Sequence, residues 1–474
     1  MTAPRGATKL VCTLGPASAT PKMVQGLARA GTSVFRLNMS HGAPDEHARI
    51  ARLVRDAEGP SGRALALLVD LPGAKVRLGT LAPDPFPFKP GMTFVLRPGG
   101  PGDARGAATT YPGLAQDLRP GDRVLLADGA VELTVTAIEG ADVRTECVRG
   151  GFASSHQGVN LPAERLGLPA ITDRDRESLE RALGFGVDFV AQSFVRSPAD
   201  VRELRSLMGD RAVPIVAKIE TGPAVREFEA ILDEADAIMI ARGDLGVELP
   251  IEEIPLIQKD LVRLAREAGR PAIVATQMLE SMIHAPRPTR AEATDVANAV
   301  LDGADAVMLS GETAIGEFPF EAASTAATIT ARAELEGGPF RAYSQLRRPT
   351  SEGAAIARAA SLSAAADLGV TAITCYTETG RTARLLSGER PTVPIYAFVP
   401  PDDVRRSTCL LWGVHALPAT EPSDTDEMIA MMDAGLLEHE LARPGDRVVM
   451  AAASPAGRTT TNMLKIHVVG TVEG

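Results

Sequence analysis

The feature that most constrains the fold of this chain is an alternation of short apolar, β-branched runs with segments of helical periodicity. Strands that are apolar on both faces and alternate with helices are typical of a parallel sheet covered by helices. Eight such runs favour a closed (β/α)₈ TIM barrel, with an open doubly wound sheet as the alternative. The predicted barrel strands are Thr8–Leu14, Ser33–Asn38, Ala64–Asp70, Val187–Ser193, Val213–Ile219, Ala237–Ala241, Ala272–Thr276 and Asp305–Ser310.

One long gap interrupts this alternation, from about Leu71 to Leu166. The stretch contains Pro and Gly between short strand candidates, and an Asp128-Gly129 pair of the kind that closes a β-hairpin. We therefore predict a small all-β domain, a β-barrel lid, inserted after the third barrel strand. An insertion at that position lies on the carboxyl face of the barrel, where it can close over a site. The strand candidates are Thr93–Arg97, Val124–Ala127, Ala130–Thr136 and Val143–Val148.

The barrel pattern ends near Leu335, and the next segment, Glu336–Ser351, is rich in Gly, Pro and Arg, which indicates a linker. Alternation then resumes with a predicted helix at Ala354–Leu368 and a predicted strand at Ala372–Tyr376. This pattern indicates a third domain of α/β type. The predicted domains are residues 1–70 and 167–336 for the barrel, 71–166 for the lid and 337–474 for the C-terminal domain.

Composition and charge argue against several classes of protein. The chain has 474 residues, of which 45% are hydrophobic and 23% charged, so it has apolar material for two or more domains. A formal net charge of −11 argues against a nucleic-acid-binding protein. No apolar run is long enough for a membrane span, and the N-terminus lacks the apolar core of a signal peptide. The four scattered cysteines match neither a zinc site nor a disulfide framework, so we expect reduced thiols and a cytoplasmic location.

Polar residues stand at the carboxyl ends of most predicted barrel strands, where barrel enzymes place their reactive groups. One charged strand end is ordinary, but this many around one mouth indicates a functional site. These residues are Arg36-Leu37-Asn38, Asp70, Gln192-Ser193, Lys218-Ile219-Glu220, Arg242-Gly243-Asp244, Thr276-Gln277 and Ser310-Gly311-Glu312.

The segment VPIVAKIE predicts a metal site at this mouth. Lys218 and Glu220 are two residues apart on a strand, so their side chains share a face. Glu220 and Asp244, on neighbouring predicted strands, offer two carboxylates in an open shell, which suits Mg²⁺. Lys218 beside that metal would neutralise charge on a transferring group. The alternatives are a structural Lys218–Glu220 ion pair and an ordinary turn aspartate at Asp244.

The sequence has no familiar nucleotide-binding loop. It contains neither a Walker A motif nor a GxGxxG that opens a helix after a strand, and no HExxH zinc motif. A nucleotide would therefore bind through Arg, Lys and metal contacts at the barrel mouth. Arg36 is the leading phosphate contact because its guanidinium fork matches phosphate oxygens, and an ion pair with a barrel carboxylate is the alternative.

Several long runs resemble those of pyruvate kinases, in order, over almost the whole chain. They include TKLVCTLGPAS, VFRLNMSHG, GVNLPA, AKIE, ARGDLGVELP and ATQMLESMIHAPRPTRAEATDVANAVLDGADAVMLSGETAIGEFP. The resemblance implies a barrel domain, a lid inserted after strand three and a C-terminal effector domain, usually assembled as a homotetramer. It also implies phosphoryl transfer from phosphoenolpyruvate to ADP, giving pyruvate and ATP in the last step of glycolysis.

The roles that the resemblance implies fall on residues around the predicted mouth. Lys218 would stabilise the phosphoryl group in transfer, and Glu220 with Asp244 would hold the essential Mg²⁺, for which Mn²⁺ is a substitute. A second Mg²⁺ would arrive with the nucleotide. The other implied contacts are Arg36 to the phosphoryl group, Gly243 and Thr276 to the substrate carboxylate, Asn38, His41 and Arg77 toward the nucleotide, and Ser310 with Thr276 beside the path of the proton to the enolate.

One departure from the family's pattern concerns a monovalent cation. After Asp70, potassium-requiring members have Thr-Lys-Gly-Pro-Glu, whereas this chain has Leu71-Pro72-Gly73-Ala74-Lys75. We expect the Lys75 ammonium to replace K⁺, so that potassium is not required, and a solvated residue at the lid hinge is the alternative. The residues that match the family's cation site are Asn38, Ser40 and Asp70.

Two further segments bear on ligands. His156-Gln157 stand where the family often has a lysine that reaches the nucleotide, so that contact is in question. Thr377-Glu378-Thr379-Gly380-Arg381-Thr382 resembles the family's phosphate-binding loop, which precedes a helix N-terminus. It implies a sugar-phosphate or nucleotide effector, and a plain capped helix start is the alternative.

Two other functions compete with this interpretation. Another phosphoenolpyruvate-binding barrel, a phosphotransferase or lyase, would lack the inserted lid and the C-terminal domain. A regulatory paralogue without turnover would have lost Lys218, Glu220 or Asp244, and all three are present.

Overall fold

The computed structural model describes residues 6–58, 63–336, 349–366, 368–454 and 460–471. The predicted linker Glu336–Ser351 lies, apart from its ends, outside these residues. None of the described helices combines the length and the apolarity needed to span a bilayer.

Eight parallel strands close into a barrel, as the alternation predicts. The first and last of these strands pair directly, with Lys9 opposite Ala306, which excludes the open sheet. The barrel strands are β1 (Lys9–Thr13), β2 (Thr32–Asn38), β3 (Ala66–Asp70), β12 (Phe189–Gln192), β13 (Ile215–Ile219), β14 (Ala237–Ala241), β15 (Ala272–Ala275) and β16 (Ala306–Leu309).

The barrel strands bury both faces, because one face fills the barrel interior and the other meets the helices. Val11, Val34 and Met239 pack in the interior, whereas residues such as Ile240 and Val274 pack in the layer between strands and helices. This explains why the sequences of these strands are continuous apolar runs and do not alternate between apolar and polar residues. The helices of this part are α1 (Pro21–Ala30), α2 (Pro44–Glu58), α4 (Asp173–Phe185), α5 (Pro198–Met208), α6 (Gly222–Arg226), α7 (Phe228–Glu234), α8 (Arg242–Glu248), α9 (Ile254–Glu267), α10 (Arg290–Asp302), α11 (Gly311–Ala314) and α12 (Pro319–Glu336).

Local sequence signals fix several helix starts. Ser197 and Asp200 form a capping box at α5, with Pro198 in the first turn. Thr172 at α4 and Thr289 at α10 begin their helices in the same way. Each box satisfies backbone N–H groups that would otherwise have no partner.

The elements between β3 and α4 form a separate all-β unit with its own core. Three phenylalanines, Phe86, Phe88 and Phe94, pack with ring centroids 4.9–5.2 Å apart in that core. The backbone hydrogen bonds form one six-stranded and one two-stranded sheet. The predicted Asp128-Gly129 turn joins two antiparallel strands, and both residues have positive φ. The elements are β4 (Phe86–Phe88), β5 (Thr93–Arg97), β6 (Gly106–Ala108), α3 (Leu114–Asp117), β7 (Arg123–Leu126), β8 (Val131–Glu139), β9 (Asp142–Arg149), β10 (Gly151–Ala153) and β11 (Val159–Asn160).

The C-terminal part is an α/β domain around a five-stranded sheet, with strand order β19-β18-β17-β20-β21. The first four strands are parallel, and the edge strand β21 is antiparallel to β20. This confirms the predicted fold class of the C-terminal domain. Its elements are α13 (Glu352–Ala365), β17 (Val370–Tyr376), α14 (Arg381–Gly388), β18 (Ile395–Val399), α15 (Asp402–Ser407), β19 (Val414–Pro418), α16 (Thr425–Glu438), β20 (Arg447–Ala452) and β21 (Met463–Val468).

Candidate active site

Arg36 and Asp70 form an ion pair at the carboxyl ends of β2 and β3. Arg36 Nε and Nη2 lie 2.8 and 2.7 Å from Asp70 Oδ2, and Arg36 Nη1 donates to Thr13 Oγ1 at 3.0 Å. The Asp70 side chain is only 2% exposed. Burial raises the pKa of Asp70, but the charges of Lys218 and Arg36 outweigh burial, so its pKa lies below the usual value. The structure therefore contains the ion pair with a barrel carboxylate that the sequence offers as the alternative role of Arg36.

Lys218, near the end of β13, is the centre of the cluster. Its Nζ donates to Ser193 Oγ at 2.7 Å and lies 3.3 Å from both Asp70 Oδ1 and Glu220 Oε2. Burial lowers the pKa of Lys218, but the two carboxylates outweigh burial and leave the pKa above its usual value. The lysine is therefore a fixed positive charge at the barrel mouth.

Glu220 is buried and only partly satisfied. Its Oε1 accepts a hydrogen bond from the Phe194 backbone N–H at 2.7 Å, and Phe194 takes a positive φ of 56° to present that N–H. Its Oε2 is buried without a hydrogen-bond donor among the described residues, although the Lys218 ammonium lies within ionic reach. Burial raises the pKa of Glu220 to about 7. A buried carboxylate oxygen with no donor calls for a cation.

Asp244 and Gly243 lie in the first turn of α8, which begins at Arg242 directly after β14. The segment is a helix, not the turn considered from the sequence. Gly243 N–H donates to Thr276 Oγ1 at 2.8 Å. Thr276 and Gln277 follow β15 with φ of 70° and 55°, a conformation that is strained for non-glycine residues.

Arg242 is a site residue whose role the sequence does not reveal. It donates to the backbone oxygens of Ala275 and Thr276 at 3.2 and 2.6 Å and pairs with Asp295 at 2.7 Å. It thereby holds the strained turn after β15. The only signal in the sequence is its place at a polar strand end.

Lys75 reaches across from the lid connection to the barrel mouth. Its Nζ donates to Asp244 Oδ1 at 3.0 Å, with both side chains about one quarter exposed. A Cβ on Gly158 would lie 2.8 Å from Lys75 Cε, so glycine leaves room for the lysine to pass. The structure thus pairs Lys75 with Asp244, whereas Asp70 is paired with Arg36 and Lys218.

The residues predicted to face the nucleotide or the monovalent cation lie in three places, namely the end of β2 with its following loop, the end of β3, and the lid. Asn38 Oδ1 accepts from the Ser40 N–H at 3.0 Å, and the exposed His41 accepts at its carbonyl from buried His47. Asn38 is opposite Asp70 in the β2–β3 register. On the lid, Arg77 Nη1 donates to the His156 carbonyl at 3.1 Å, and Gln157 Oε1 accepts from the Ser154 N–H. Gln157 therefore closes a turn of the lid.

At the end of β16, the Ser310 N–H donates to Glu312 Oε2 at 2.7 Å. Glu312 is fully buried, and its Oε1 accepts from the Leu279 N–H at 3.0 Å. Glu312 therefore links the turns after β15 and β16, which positions Ser310 and Thr276 together at the rim.

The predicted effector loop, Thr377–Thr382, leads into α14 and contributes its first two residues, Arg381 and Thr382. Gly380 has a positive φ of 74°, and no side chain caps the helix start. Thr382 is buried and its Oγ1 is hydrogen-bonded to Thr461 Oγ1 at 2.7 Å, whereas Thr379 and Arg381 are exposed. Thr377 is buried, with its backbone N–H donating to Phe398 O.

The residues at the mouth fit a divalent cation. Glu220 Oε2 has no hydrogen-bond donor in the part of the chain that the structure describes, and the carboxylate of Asp244 is paired with Lys75. Among the described residues, no three acidic, histidine or cysteine side chains are grouped closely enough to hold a metal by themselves. This suits Mg²⁺, which takes one or two carboxylates and fills its shell with water and substrate oxygens.

Comparisons with known proteins identify the family of the chain. The family described as "Pyruvate kinase, barrel domain" matches residues 5–323, and "Pyruvate kinase, alpha/beta domain" matches residues 354–467. The chain belongs to the pyruvate kinase family. The resemblance read from the sequence, and the expectation of an enzyme, are confirmed.

Relatives match the chain along its length. Pyruvate kinases of Corynebacterium efficiens and Mycobacterium tuberculosis are each 43% identical over 470 residues, covering 98% of both chains. A crystal structure of a pyruvate kinase from Cryptosporidium parvum is similar with a TM-score of 0.90 and 34% identity, covering 98% of this chain and 96% of that one.

Proposed function

We propose that this member of the family transfers the phosphoryl group of phosphoenolpyruvate to ADP, giving pyruvate and ATP. The observation that carries the proposal is the cluster of Arg36, Asp70, Lys218 and Glu220 at the mouth of the barrel. Two fixed cations and a buried carboxylate that lacks a donor suit a reaction in which negative charge moves between oxygens.

Mg²⁺, or Mn²⁺ in its place, would bind Glu220 and Asp244 and neutralise phosphoryl charge there. Lys218 and Arg36 would hold the phosphoryl oxygens in line between the donor and the ADP oxygen that attacks. The Gly243 N–H and the Thr276 hydroxyl would orient the substrate carboxylate. Ser310 and Thr276 would border the path by which a proton reaches the enolate carbon of the product.

We also propose that Asn38, His41 and Arg77 contact the nucleotide and that no potassium is required. At the mouth, Asp70 is paired with Arg36, Glu220 with Lys218 and Asp244 with Lys75. Each of these three carboxylates therefore has a cationic partner within the chain. The ammonium supplies the kind of single positive charge that a monovalent cation would bring.

For the whole protein we propose a cytoplasmic homotetramer regulated by a sugar phosphate or nucleotide. Its four cysteines are all free and buried, which suits a reducing compartment. Ile251 and Leu256 on the barrel, and Ile466 on edge strand β21, are between 45% and 70% exposed, and such surfaces suit contacts between subunits.

A coupled assay of the full chain with phosphoenolpyruvate, ADP and varied Mg²⁺ tests the function. Glu220→Gln and Asp244→Asn each remove a charge from the metal site, so half-maximal activity should require a higher Mg²⁺ concentration. Glu229→Gln, an exposed carboxylate on α7, is the control and should leave the curve unchanged. Absence of pyruvate formation by the wild type would favour a regulatory paralogue, and unmoved curves in both variants would place the metal elsewhere.

A further inference from the structure

A small cavity lies at the seam between the barrel and the C-terminal domain. Pro271 and Asp305 in its lining directly precede β15 and β16, whereas Thr276 and Ser310 follow the carboxyl ends of the same two strands. Its volume is about 20 Å³, and it is lined by the end of α9, the residue before β16, helix α14 and the turn after α14. Two arginines from the barrel and two from the C-terminal domain line it. They are Arg266, Arg270, Arg384 and Arg390.

Arg390 is the most deeply placed of the four, at 8% exposure. Its Nη2 donates to Asp305 Oδ1 and to the Gly303 carbonyl, both at 2.9 Å, and its guanidinium lies 4.8 Å from the ring centroid of Trp412. Its Nη1 is buried and has no hydrogen-bond partner among the described residues. A buried guanidinium N–H without an acceptor is unfavourable, so an acceptor is missing here.

Arg266, Arg270 and Arg384 add three further guanidinium charges to the lining. Arg384 and Arg270 donate to the backbone carbonyls of Asp236 and Asp233. The Asp236 carboxylate itself is bound by Arg205 at 2.9 Å. Among the described residues of the lining, Asp305 is the one carboxylate beside four guanidinium groups, and the charge of Glu334 also acts on Arg390.

The charges of the lining interact through the protein. Burial lowers the pKa of Arg390 to about 10, with Asp305 and Glu334 opposing this shift and Arg266 adding to it by repulsion. Burial also lowers the pKa of Arg384, and Arg270 adds to that shift. Arg390 and Arg266 therefore repel each other across the seam, as do Arg384 and Arg270, while Asp305 and Asp236 oppose these repulsions.

We propose that this cavity is a binding site for a monatomic anion, of the size and charge of chloride, held by guanidinium groups from both domains. The cavity has space for about one or two water-sized spheres, so a halide fits. The anion supplies the acceptor that Arg390 Nη1 lacks and reduces the repulsion among the arginines. Because both domains contribute ligands, it joins the barrel to the C-terminal domain and stabilises the folded state.

Bromide is the probe, since its anomalous scattering locates it directly. In crystals of the full chain grown with potassium bromide, we expect an anomalous peak within hydrogen-bonding distance of Arg390 Nη1. Arg266→Gln removes one positive charge from the lining and leaves both members of the Arg390–Asp305 ion pair in the chain, and its bromide peak should be weak or absent. Arg263→Gln is the matched control, because Arg263 lies one turn earlier on α9 and is exposed to solvent, paired with Glu267.

Thermal unfolding gives a solution readout that does not depend on activity. The Tm of the wild type and of Arg263→Gln should rise with potassium bromide in a saturable manner, compared with potassium gluconate at equal ionic strength. In Arg266→Gln the bromide concentration that gives half of the maximal Tm increase should be at least several-fold higher than in the wild type. A bromide peak found only at the barrel mouth, equal Tm curves in both salts, or identical bromide responses of the two variants would each overturn the proposal.

Discussion

Lys218 is the residue on which most of the proposed chemistry depends. Its ammonium contacts Ser193, Asp70 and Glu220 and is almost fully buried, so its position is fixed before any substrate arrives. A preorganised charge aimed at the transferring group stabilises the transition state more than the bound substrate.

Lys218→Met should therefore lower kcat by about 10³-fold or more while KM for phosphoenolpyruvate changes little. Steady-state kinetics of the purified variant measures both constants, and circular dichroism with Tm checks that the fold is intact. A near-normal kcat with a raised KM would show that the lysine is a binding or structural charge only.

Lys75 gives a prediction about salt dependence. Its Nζ lies 3.0 Å from Asp244 Oδ1. The lysine thus supplies a permanent positive charge at a position where potassium-requiring pyruvate kinases have an acidic residue. Two unit charges about 4 Å apart interact by about 4 kcal/mol at an effective dielectric near 20, so a missing cation would be costly. Activity should be similar in potassium, sodium and tetraalkylammonium buffers of equal ionic strength.

Lys75→Glu reverses this charge and should either create a potassium requirement or cripple the enzyme. Lys89→Glu makes the same change at an exposed lid position and serves as the control. Strong activation of the wild type by K⁺ alone, or a Lys75→Glu variant that behaves like Lys89→Glu, would contradict the idea.

Among the elements, α14 and the loop before it carry the regulatory prediction. The loop combines a left-handed glycine, exposed Thr379 and Arg381, and a helix start without a side-chain cap, and such a start favours anions. The C-terminal domain is distant in sequence from the catalytic residues, so any effect of a ligand here is a coupling between two sites.

We expect a sugar phosphate or nucleoside monophosphate to change activity at low phosphoenolpyruvate, and Arg381→Ala to abolish that response. Arg443→Ala, an exposed arginine in the same domain, should respond like the wild type. If no phosphorylated compound alters the rate, the loop is a plain helix start.

At the scale of the whole molecule, every cysteine is inside a core. Burial raises the pKa of Cys12, Cys375 and Cys409 to about 12, and burial also raises the pKa of Cys147. The reactive thiolate is therefore almost absent near pH 8, and all four residues are buried, although Cys409 also borders a surface pocket.

A disulfide reagent such as DTNB should then react with none of the four thiols in the native protein at pH 8 and with all four in guanidinium chloride. Absorbance of the released thiolate counts the groups. Fast reaction of any thiol without denaturant would show that its core opens readily.

The sequence by itself determined the barrel, because its signals are local. An apolar run such as Ala237–Ala241 can be buried on both faces only within a helix-covered parallel sheet, and Ser197 with Asp200 caps a helix wherever the chain folds. Polar residues at successive strand ends must meet at one rim once the barrel closes, so the sequence alone predicts Lys218, Glu220 and Asp244 as neighbours there. Strands of two or three residues, such as β4 and β11, were not found, because such runs have no measurable period.

Only the tertiary structure decided which charges pair. Arg36 with Asp70 and Lys75 with Asp244 are 34 and 169 residues apart, and no local pattern encodes such contacts. The same holds for Arg242, which supports the turn after β15, and for the arginine cavity, whose four members come from two domains. Side-chain periodicity fixes which face of an element is buried, whereas the closure of the barrel and the docking of a domain fix what that face meets.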